Sequence, residues 1–326
     1  MVSRAIILAT KDPYHSSQLT YNRNHAMLPA LGKPLIARVM DRIYQAGIRE
    51  FTIILGEDEG EVAFYLNKWM PDVKLEFVLE KYSTNLVRTL RPVLERHAPP
   101  YFFCLYNGFA HAKLPMRLLS SFEDNPDDLI ISGAATTLST SPNQHFGLVT
   151  GNTISEIVLE KPNDGKFMLL SDTGIFGKAF ADYILNKQPA RTGSLQTTFL
   201  DVTRTYLAAG GKASVVDSGW NLRITSDQDL LTLNRHLLHD LQDAHLLSEL
   251  PYTVQIIPPV RIDPQVNVGQ GARIGPNVYL ERGSSVGQGA VLKDCIVLSN
   301  VKVPATATIE DSIISTRGRV ALPSHT

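Results

Sequence analysis

Residues 5–36 read AIILATKDPYHSSQLTYNRNHAMLPALGKPLI, and the rest of the chain is organised around this stretch. Its first residues, 5–9, form a short apolar run of the kind that a buried parallel strand needs. Its last residues lead into a second pattern, 36–43, in which apolar side chains recur at helical spacing. A long polar loop separates the two. The stretch therefore predicts a strand, a polar loop and a helix in that order.

Strand-like and helix-like segments continue to alternate after this opening. Strands that alternate with helices favour a parallel sheet with crossover helices. The predicted strands are 51–56, 74–79, 101–106, 129–137, 154–159 and 214–216, and the predicted helices are 61–69, 86–96, 201–209 and a helix that begins at Ser226 and continues toward Leu250.

Composition and charge restrict the classes of partner. The 326 residues are 44% hydrophobic and 19% charged, and 31 basic against 32 acidic residues leave a net charge of −1. This balance argues against a nucleic acid or a membrane surface recognised through bulk charge. The two cysteines, Cys104 and Cys295, are far apart in sequence and indicate neither a disulfide framework nor a zinc site. The first apolar run is too short for a signal peptide, so we expect a cytoplasmic protein.

The C-terminal part carries a repeat of six residues. Three glycines, Gly269, Gly275 and Gly287, directly follow members of this series, and the pattern is the hexapeptide signature of a left-handed parallel β-helix. Val303 and Ile309 continue the series one residue early, which predicts a distortion at 301–304. Many hexapeptide proteins are acyltransferases that use a histidine, and residues 246–324 contain none. The repeating aliphatic residues are Ile262, Val268, Ile274, Leu280, Val286, Leu292 and Leu298.

The opening stretch resembles the signature of the sugar-nucleotide pyrophosphorylases, A-A-G-x-G-T-R-L-x-P-L-T-x-x-x-P-K-P-L-L-P-V-x-G-K-P-L-I, without a gap. The resemblance implies a Rossmann-like α/β nucleotidyltransferase domain at 1–232, a helical connector at 233–254 and the left-handed β-helix domain at 255–326. The matching residues are Ala9, Leu19, Thr20, Leu28, Pro29 and 32–36.

The positions that handle phosphate in this family are occupied by other residue types here. The two loop glycines fall on Lys11 and Pro13, the arginine on His15 and the catalytic lysine on His25. Glycine lets backbone N–H groups approach a phosphate closely, and proline has no N–H to donate. Histidine is mostly neutral at pH 7 because its unperturbed pKa is about 6.5. We therefore interpret these four positions as vestigial, and we predict no catalytic residue.

The metal-binding positions of the family have also changed. The family's N-G-D, whose Asp binds Mg²⁺, ends here in Phe109, which cannot ligate a hard cation. The second metal ligand falls on Leu222 or Arg223, depending on register. Asp217 and Asn221 are weak candidates to replace it from neighbouring positions. We predict no cofactor, and Mg²⁺ only if the chain is active.

The sugar side of the signature is better preserved. Gly147, Glu160, Lys161 and Gly174 match the family in type, and Asp172 stands in place of an Asn. In the family these elements surround the sugar phosphate: the glycine lets the sugar lie against the backbone, the Glu hydrogen-bonds hydroxyl groups and the Lys meets the phosphate. The resemblance therefore implies contact with a sugar phosphate at these five residues.

Three hypotheses for function remain open. The first is a catalytically degenerate family member that binds a sugar phosphate or NDP-sugar as a regulatory or assembly subunit. The second is an active pyrophosphorylase with a rewired loop, in which Lys11 or Lys33 supplies charge and Asp12, Asp217 or Asn221 holds Mg²⁺. The third is a structural scaffold whose pocket is filled by side chains. In each case we expect a homo-oligomer or hetero-oligomer that forms through the β-helix. Residues 299–314 are a candidate surface for the contact between subunits.

Overall fold

The computed structural model describes residues 2–10, 23–56, 59–69, 72–80, 85–124, 129–138, 144–187, 198–241 and 245–322. These residues form two compact units. The first unit contains residues 2–10 and 36–223, and the second contains residues 23–35 and 224–322.

The first unit contains a sheet of nine strands in the order β3-β2-β1-β4-β9-β6-β10-β8-β7, and a separate ladder of β5 and β11. Its strands are β1 (Arg4–Ala9), β2 (Glu50–Leu55), β3 (Lys74–Leu79), β4 (Tyr101–Leu105), β5 (Gly108–Ala110), β6 (Leu129–Ala134), β7 (Phe146–Thr150), β8 (Thr153–Val158), β9 (Phe167–Phe176), β10 (Ser214–Asp217) and β11 (Asn221–Arg223). Its helices are α1 (Leu35–Gln45), α2 (Gly60–Trp69), α3 (Leu86–Arg96), α4 (Leu114–Asp124), α5 (Lys178–Asn186) and α6 (Phe199–Ala208).

The parallel part of the sheet confirms the predicted α/β organisation. Strand β1 pairs in parallel with β2 on one side and with β4 on the other. Ile6 and Ile7 of β1 have no exposed surface, which explains why this strand reads as a continuous apolar run. An aromatic cluster of Phe176, Phe180 and Phe199 fills the core beside β4 and β9.

Strand β9 separates from β4 part of the way along the sheet. It pairs antiparallel with β4 only as far as Phe103 and Gly174, and its remaining residues pair with β6 and β7. Gly174 lies so close to β6 that a Cβ atom there would stand 2.3 Å from the carbonyl oxygen of Ile130. The divergence of β4 from β9 leaves a crevice at the end of β4, where Cys104 and Leu105 still pair with β1 but have no partner in β9.

The second unit is a stack of short parallel strands preceded by one helix. The aliphatic repeat is buried from Ile262 to Leu292, as its period predicts. After a short 3-10 helix, His25–Met27, its elements are α7 (Asp227–Leu241), β12 (His245–Leu246), β13 (Gln255–Ile256), β14 (Val260–Ile262), β15 (Asn267–Val268), β16 (Arg273–Ile274), β17 (Val278–Leu280), β18 (Ser285–Val286), β19 (Val291–Val297), β20 (Lys302–Val303), β21 (Thr308–Ser315) and β22 (Gly318–Ala321).

Parallel pairing at a regular interval builds three faces in this unit. Strands β12, β14 and β17 lie on one face, β13 and β16 on another, and β15, β18 and β20 on the third. The long strands β19 and β21 contribute to both of the first two faces. Val260 pairs with Val278, eighteen residues later, so one turn of the stack contains three hexapeptides.

The position of the register slip differs from the prediction. Ile274 pairs with Leu292 at an interval of eighteen residues, but Val278 pairs with Cys295 at an interval of seventeen. The chain is therefore shortened at the corner before Cys295, where Asp294 adopts a φ of 47°. The predicted distortion at 301–304 is wrong, because β20 pairs regularly with β18.

The connector is only partly helical. Helix α7 ends at Leu241, and β12 pairs in parallel with β14 as part of the strand stack. The helix predicted to continue toward Leu250, and hence a fully helical connector at 233–254, is therefore wrong beyond Leu241. Helix α7 packs on β19 and β21, and Arg235 forms ion pairs with Asp294 (3.2 Å) and Asp311 (2.5 Å). These contacts place α7 in the second unit, whereas the sequence predicted a boundary at 232.

Residues 23–35 are held within the second unit by polar contacts. Arg23 binds both carboxylate oxygens of Glu281, at 2.6 and 3.1 Å. The backbone N–H of Leu31 donates to Oδ1 of Asn234 at 3.0 Å. The backbone N–H of Gly32 donates to the hydroxyl oxygen of Tyr279, also at 3.0 Å.

The buried hydroxyl of Tyr279 offers a direct test of this packing. It accepts from the N–H of Gly32 and donates to Asp263 at 2.7 Å, and burial together with the Asp263 carboxylate raises the pKa of Tyr279. Tyr279→Phe removes a partner from both groups, so we expect it to lower the free energy of unfolding by about 1–3 kcal/mol in urea titrations. Tyr252→Phe, at a side chain that is 98% exposed, is the control and should stay within about 0.5 kcal/mol of the wild type. Equal values for the two variants would contradict this account.

Candidate functional site

A pocket of the first unit lies in the crevice where β4 and β9 diverge. Its lining includes Leu105 of β4 and Thr173 of β9, which lie just beyond the last pair between the two strands, Phe103 and Gly174. The cavity has a volume of about 100 Å³. That volume has room for several water molecules, and hence for a phosphate group or part of a sugar ring. All of its lining residues belong to the first unit.

An apolar pair occupies one side of this pocket. The antiparallel ladder of β5 and β11 places Phe109 directly opposite Leu222, and the two side chains are only 3% and 1% exposed. Arg223, the other residue considered for the second metal position, is opposite Gly108 instead. The two side chains that share one face of the ladder at the expected metal position therefore contain no oxygen atom.

Two arginines border the same ladder. Arg42 of α1 donates from Nη1 to the carbonyl oxygen of Ala110 at 2.8 Å, and its Cζ lies 5.5 Å from the ring centroid of Phe109. Arg223 of β11 places Nη1 3.6 Å from Oδ2 of Asp172. Both arginines are lining residues of the pocket. The position expected for a metal ion is thus accompanied by fixed positive charge from the protein itself.

The N-terminus of α6 positions the acidic side of the pocket. Oδ1 of Asp172 accepts from the backbone N–H of Leu200 at 3.4 Å. In the same turn Asp201 closes a capping box with Thr198, and Nε2 of His145 lies 3.4 Å from Oδ1 of Asp201. Burial raises the pKa of Asp201, but the hydrogen bonds from His145 and Thr198 outweigh it and lower the value to about 2. His145, which lines the pocket, is therefore held by an ionised carboxylate.

Asp201→Asn should lower the free energy of unfolding at neutral pH by about 1–2 kcal/mol, because it weakens the capping box and the contact with His145. The folded pKa lies below the unfolded value of about 3.9, so the stabilisation is complete above that value and is lost as the pH falls through about 2. The difference between wild type and variant in urea titrations should narrow over that window. Asp182→Asn, at an exposed ion pair with Lys178, is the control and should change stability by less than about 1 kcal/mol. A difference that is independent of pH would contradict the assigned role of the Asp201 carboxylate.

The structure brings some of the predicted site residues together. Asp172 and Asn221 both line the pocket, beside Phe109. Gly147 is buried in β7, where an added Cβ would stand 3.1 Å from the side chain of Leu170, itself a lining residue. Gly174 adjoins the pocket through Thr173, and its close approach is to the backbone of β6.

Other predicted residues lie elsewhere among the described parts of the chain. Glu160 and Lys161 are exposed in the turn after β8 and do not line the pocket; Nζ of Lys161 lies 5.9 Å from the ring centroid of Phe167. Asp217 is exposed, does not line the pocket, and accepts from the N–H of Gly219 at 2.8 Å within its own turn. His25 belongs to the 3-10 helix of the second unit. Lys11, Pro13 and His15 lie outside the described residues.

Arg42 is a charged lining residue that sequence reasoning missed. It lies on an amphipathic helix where a charged residue is ordinarily read as solvent-exposed, and no motif marks it. Arg223 was considered only as an occupant of a lost metal position, and His145 only as part of a motif. Successive residues of a strand point to opposite faces, so adjacent positions in β11 place Leu222 and Arg223 on different faces. This alternation is the one signal in the sequence that could have distinguished the roles of the two residues.

The described residues do not fit a magnesium ion at the positions that the resemblance implies. Mg²⁺ requires oxygen ligands, and Phe109 and Leu222 offer none. Asn221 uses its amide nitrogen to donate to the carbonyl oxygen of Leu169 at 3.2 Å. Among the described residues, no group of three or more His, Cys, Asp or Glu side chains is placed to hold a metal ion. Within the same residues, no helix is both long and apolar enough to cross a membrane.

Comparison with known families agrees with this architecture. The family model described as nucleotidyl transferase matches residues 5–236, which is more than half of the chain. The chain belongs to the nucleotidyl transferase family. A second model, described as the GMPPB C-terminal domain, matches residues 256–323 of the second unit. These matches confirm the resemblance to the sugar-nucleotide pyrophosphorylases and the nucleotidyltransferase fold of the first unit.

Relatives of this family align with almost the whole chain. The bifunctional protein GlmU of Methanococcus maripaludis is 23% identical and covers 95% of this chain and 77% of the relative. The bifunctional sugar-1-phosphate nucleotidylyltransferase/acetyltransferase of Sulfurisphaera tokodaii is 23% identical, with coverage of 96% and 79%. Mannose-1-phosphate guanylyltransferase 1 of Arabidopsis thaliana is 22% identical, with coverage of 95% and 85%.

Solved structures share the fold of this family. A Bacillus anthracis chain described as a glucose-1-phosphate thymidylyltransferase, in complex with sucrose, superposes with a TM-score of 0.62 at 19% identity and covers 74% of this chain and 97% of that one. The inositol-1-phosphate CTP transferase of T. maritima superposes with a TM-score of 0.57 at 16% identity, with coverage of 70% and 91%. At these identities the similarity shows the fold alone.

Proposed function

We propose that this nucleotidyl transferase family member is catalytically degenerate and binds a sugar phosphate or NDP-sugar as a regulatory or assembly subunit. One observation carries the proposal: Phe109 and Leu222 face each other, buried. The resemblance assigns the first metal-binding carboxylate to Phe109 and the second to Leu222 or Arg223. The pocket beside them still contains Asp172, Asn221 and two arginines.

The loss of catalytic groups is large enough to remove turnover. Removing one group that stabilises developing charge typically costs about 3–4 kcal/mol, and the whole advantage of a typical enzyme is about 8–23 kcal/mol. Here the metal positions carry Phe109 and Leu222, and the sequence places Lys11, Pro13 and His15 at the phosphate-handling positions. Such losses are not additive. Together they still affect both the metal positions and the loop residues that would neutralise charge on the transferred nucleotidyl group.

The alternatives fit the pocket less well. A structural scaffold would have filled this space with side chains, whereas the cavity is open and bordered by charged groups. An active enzyme with a rewired loop would need a new metal site. Asp217 is engaged in its own exposed turn, and Asn221 donates its amide to Leu169. Asp12, the remaining candidate in that version, lies outside the described residues.

The second unit supports the assembly part of the proposal. Its parallel pairing on three faces, at intervals of eighteen residues and then of seventeen across the shortened corner at Asp294, supports a left-handed parallel β-helix at 255–326. The match of residues 256–323 to the GMPPB C-terminal domain is in keeping with that assignment. We place the oligomer contact on the surface formed by residues 299–314, and we propose a cytoplasmic location.

Calorimetry and a turnover assay test the two parts of the function separately. Titration of the full chain with sugar 1-phosphates, nucleotides and NDP-sugars should give heat with the sugar ligands. Incubation with NTP and sugar 1-phosphates should release no pyrophosphate under conditions in which an active pyrophosphorylase, assayed in parallel, does. Pyrophosphate release at a comparable rate would disprove degeneracy, and the absence of heat with every sugar ligand would disprove the binding role.

A further inference from the structure

We infer that the pocket of the first unit takes the phosphate of its ligand without a divalent cation, and that Arg42 and Arg223 supply the positive charge. The inference rests on the proposed function, since it takes a phosphorylated sugar as the ligand. It adds the means of recognition: guanidinium groups of the chain replace the metal ion.

The charge balance of the pocket favours an anion. Among the described residues that line it, two are arginines, Arg42 and Arg223, and one is a carboxylate, Asp172. A concave site lined by an excess of one sign concentrates ligands of the opposite sign. The same excess disfavours a divalent cation, which would meet two fixed positive charges and a single carboxylate. The pocket therefore has the electrostatics of a phosphate site.

Arg42 carries its charge to the position that the metal has lost. Its Cζ lies 5.5 Å from the ring centroid of Phe109, the residue that replaces the first metal-binding carboxylate. The hydrogen bond from Nη1 to the carbonyl oxygen of Ala110 fixes the guanidinium at the β5–β11 ladder. A fixed guanidinium loses little freedom on binding and presents several N–H donors in one plane. It can therefore bind phosphate oxygens without reorganising the site.

Arg223 supplies a second charge that remains accessible. Its side chain is 33% exposed, while that of Asp172 is 10% exposed. The 3.6 Å between Nη1 and Oδ2 of Asp172 is longer than a normal hydrogen bond, so this pair orients the guanidinium without a tight contact. Arginine binds phosphate in a bidentate, planar manner. In β11 Arg223 points to the opposite face from Leu222. The apolar residue at one position and the charged residue at the next therefore act on different faces of the same strand.

The decisive experiment compares binding with and without metal. The full chain is titrated calorimetrically with mannose 1-phosphate, glucose 1-phosphate and inositol 1-phosphate, in EDTA and in MgCl₂, with the unphosphorylated compounds as controls. We expect at least one phosphorylated compound to bind with the same Kd in both buffers, and its unphosphorylated form not to bind. Binding that requires MgCl₂ would overturn the inference and leave the proposed function standing. Absence of binding in both buffers would overturn the inference, while heat from an NDP-sugar in the titration described above would leave the proposed function standing.

Substitutions assign the charge to the two arginines. In EDTA, Arg42→Gln and Arg223→Gln should each raise the Kd roughly tenfold or more, because each removes charge-assisted hydrogen bonds to the phosphate. Arg117→Gln removes the same charge from an exposed position of α4 outside the pocket and should leave the Kd unchanged. Arg223→Lys keeps the charge and should recover part of the affinity, which separates a binding role from a folding defect. Wild-type affinity in both Gln variants would refute the assignment.

Discussion

Phe109→Asp is expected to destabilise the first unit by about 4 kcal/mol or more, and Mg²⁺ will not restore the loss. Phe109 is 3% exposed and lies across the ladder from Leu222. Removing a buried phenyl ring costs about 3–5 kcal/mol, and burying a carboxylate adds a desolvation penalty that the guanidinium of Arg42, 5.5 Å from the ring centroid, offsets only in part. A single carboxylate opposite a leucine cannot complete a magnesium site, so Mg²⁺ gives the variant no compensation.

Urea titration in EDTA and in MgCl₂ measures this effect. Phe109→Leu keeps an apolar side chain and is the matched control, which should lose far less stability than the Asp variant in either buffer. The double variant Phe109→Asp/Leu222→Asp places two carboxylates opposite each other. It is expected to gain stability from MgCl₂, because a ligand that binds only the folded state shifts the unfolding equilibrium. Recovery of the single variant in MgCl₂ would show that one carboxylate suffices, contrary to the interpretation of this ladder.

Gly174→Ala is expected to lower the free energy of unfolding by about 3 kcal/mol or more. The added Cβ would stand 2.3 Å from the carbonyl oxygen of Ile130, and its neighbour is the backbone of a central strand that cannot rotate away. Either β9 or β6 must shift, and a shift of β9 moves Thr173 and Asp172 in the lining of the pocket. We therefore expect the same substitution to weaken ligand binding.

Gly60→Ala is the matched control for this substitution. Gly60 begins α2, and an added Cβ meets no atom within 4 Å. Alanine is the better helix former, so the control should be neutral or more stable by up to about 1 kcal/mol. Urea titration of both variants decides the matter. If Gly174→Ala were as stable as Gly60→Ala, the close approach of β9 to β6 would not be essential to the fold.

Strong local patterns predicted many elements correctly. The structure has β3 at Lys74–Leu79 and α3 at Leu86–Arg96, the residues that their patterns indicate. Strand β9 was not predicted, because its residues were interpreted through a motif and its pairing with β4, β6 and β7 is entirely non-local. The ladder of β5 and β11 was not predicted either, because strands of three residues are too short to show a recognisable pattern.

The six-residue repeat predicted which residues are buried, but not the register between the strands. Counting by six correctly predicted the buried aliphatic residues as far as Leu298, but it also implies that Leu298 pairs with Leu280. The structure pairs Leu280 with Val297 instead, because one residue is absent from the corner at Asp294. The six-residue period reveals the shortened corner only at the repeat positions that follow it. The position of the shortened corner needs the register between strands.

The sequence predicted that Phe109 replaces a metal ligand, but it did not predict which side chains surround Phe109. Phe109 was recognised from its place after Asn107 and Gly108. Its pairing with Leu222 and the charge of Arg42 above its ring arise from a hydrogen-bonded register and a helix packing, neither of which a linear motif encodes.

The contacts of residues 23–35 have a consequence for biosynthesis. Leu31, Gly32 and Arg23 bind partners that lie 203, 247 and 258 residues further along the chain. Translation adds about 5–20 residues per second, so this early segment spends many seconds without those partners. It emerges from the ribosome before its partners and acquires its final hydrogen bonds only after the strand stack has been synthesised.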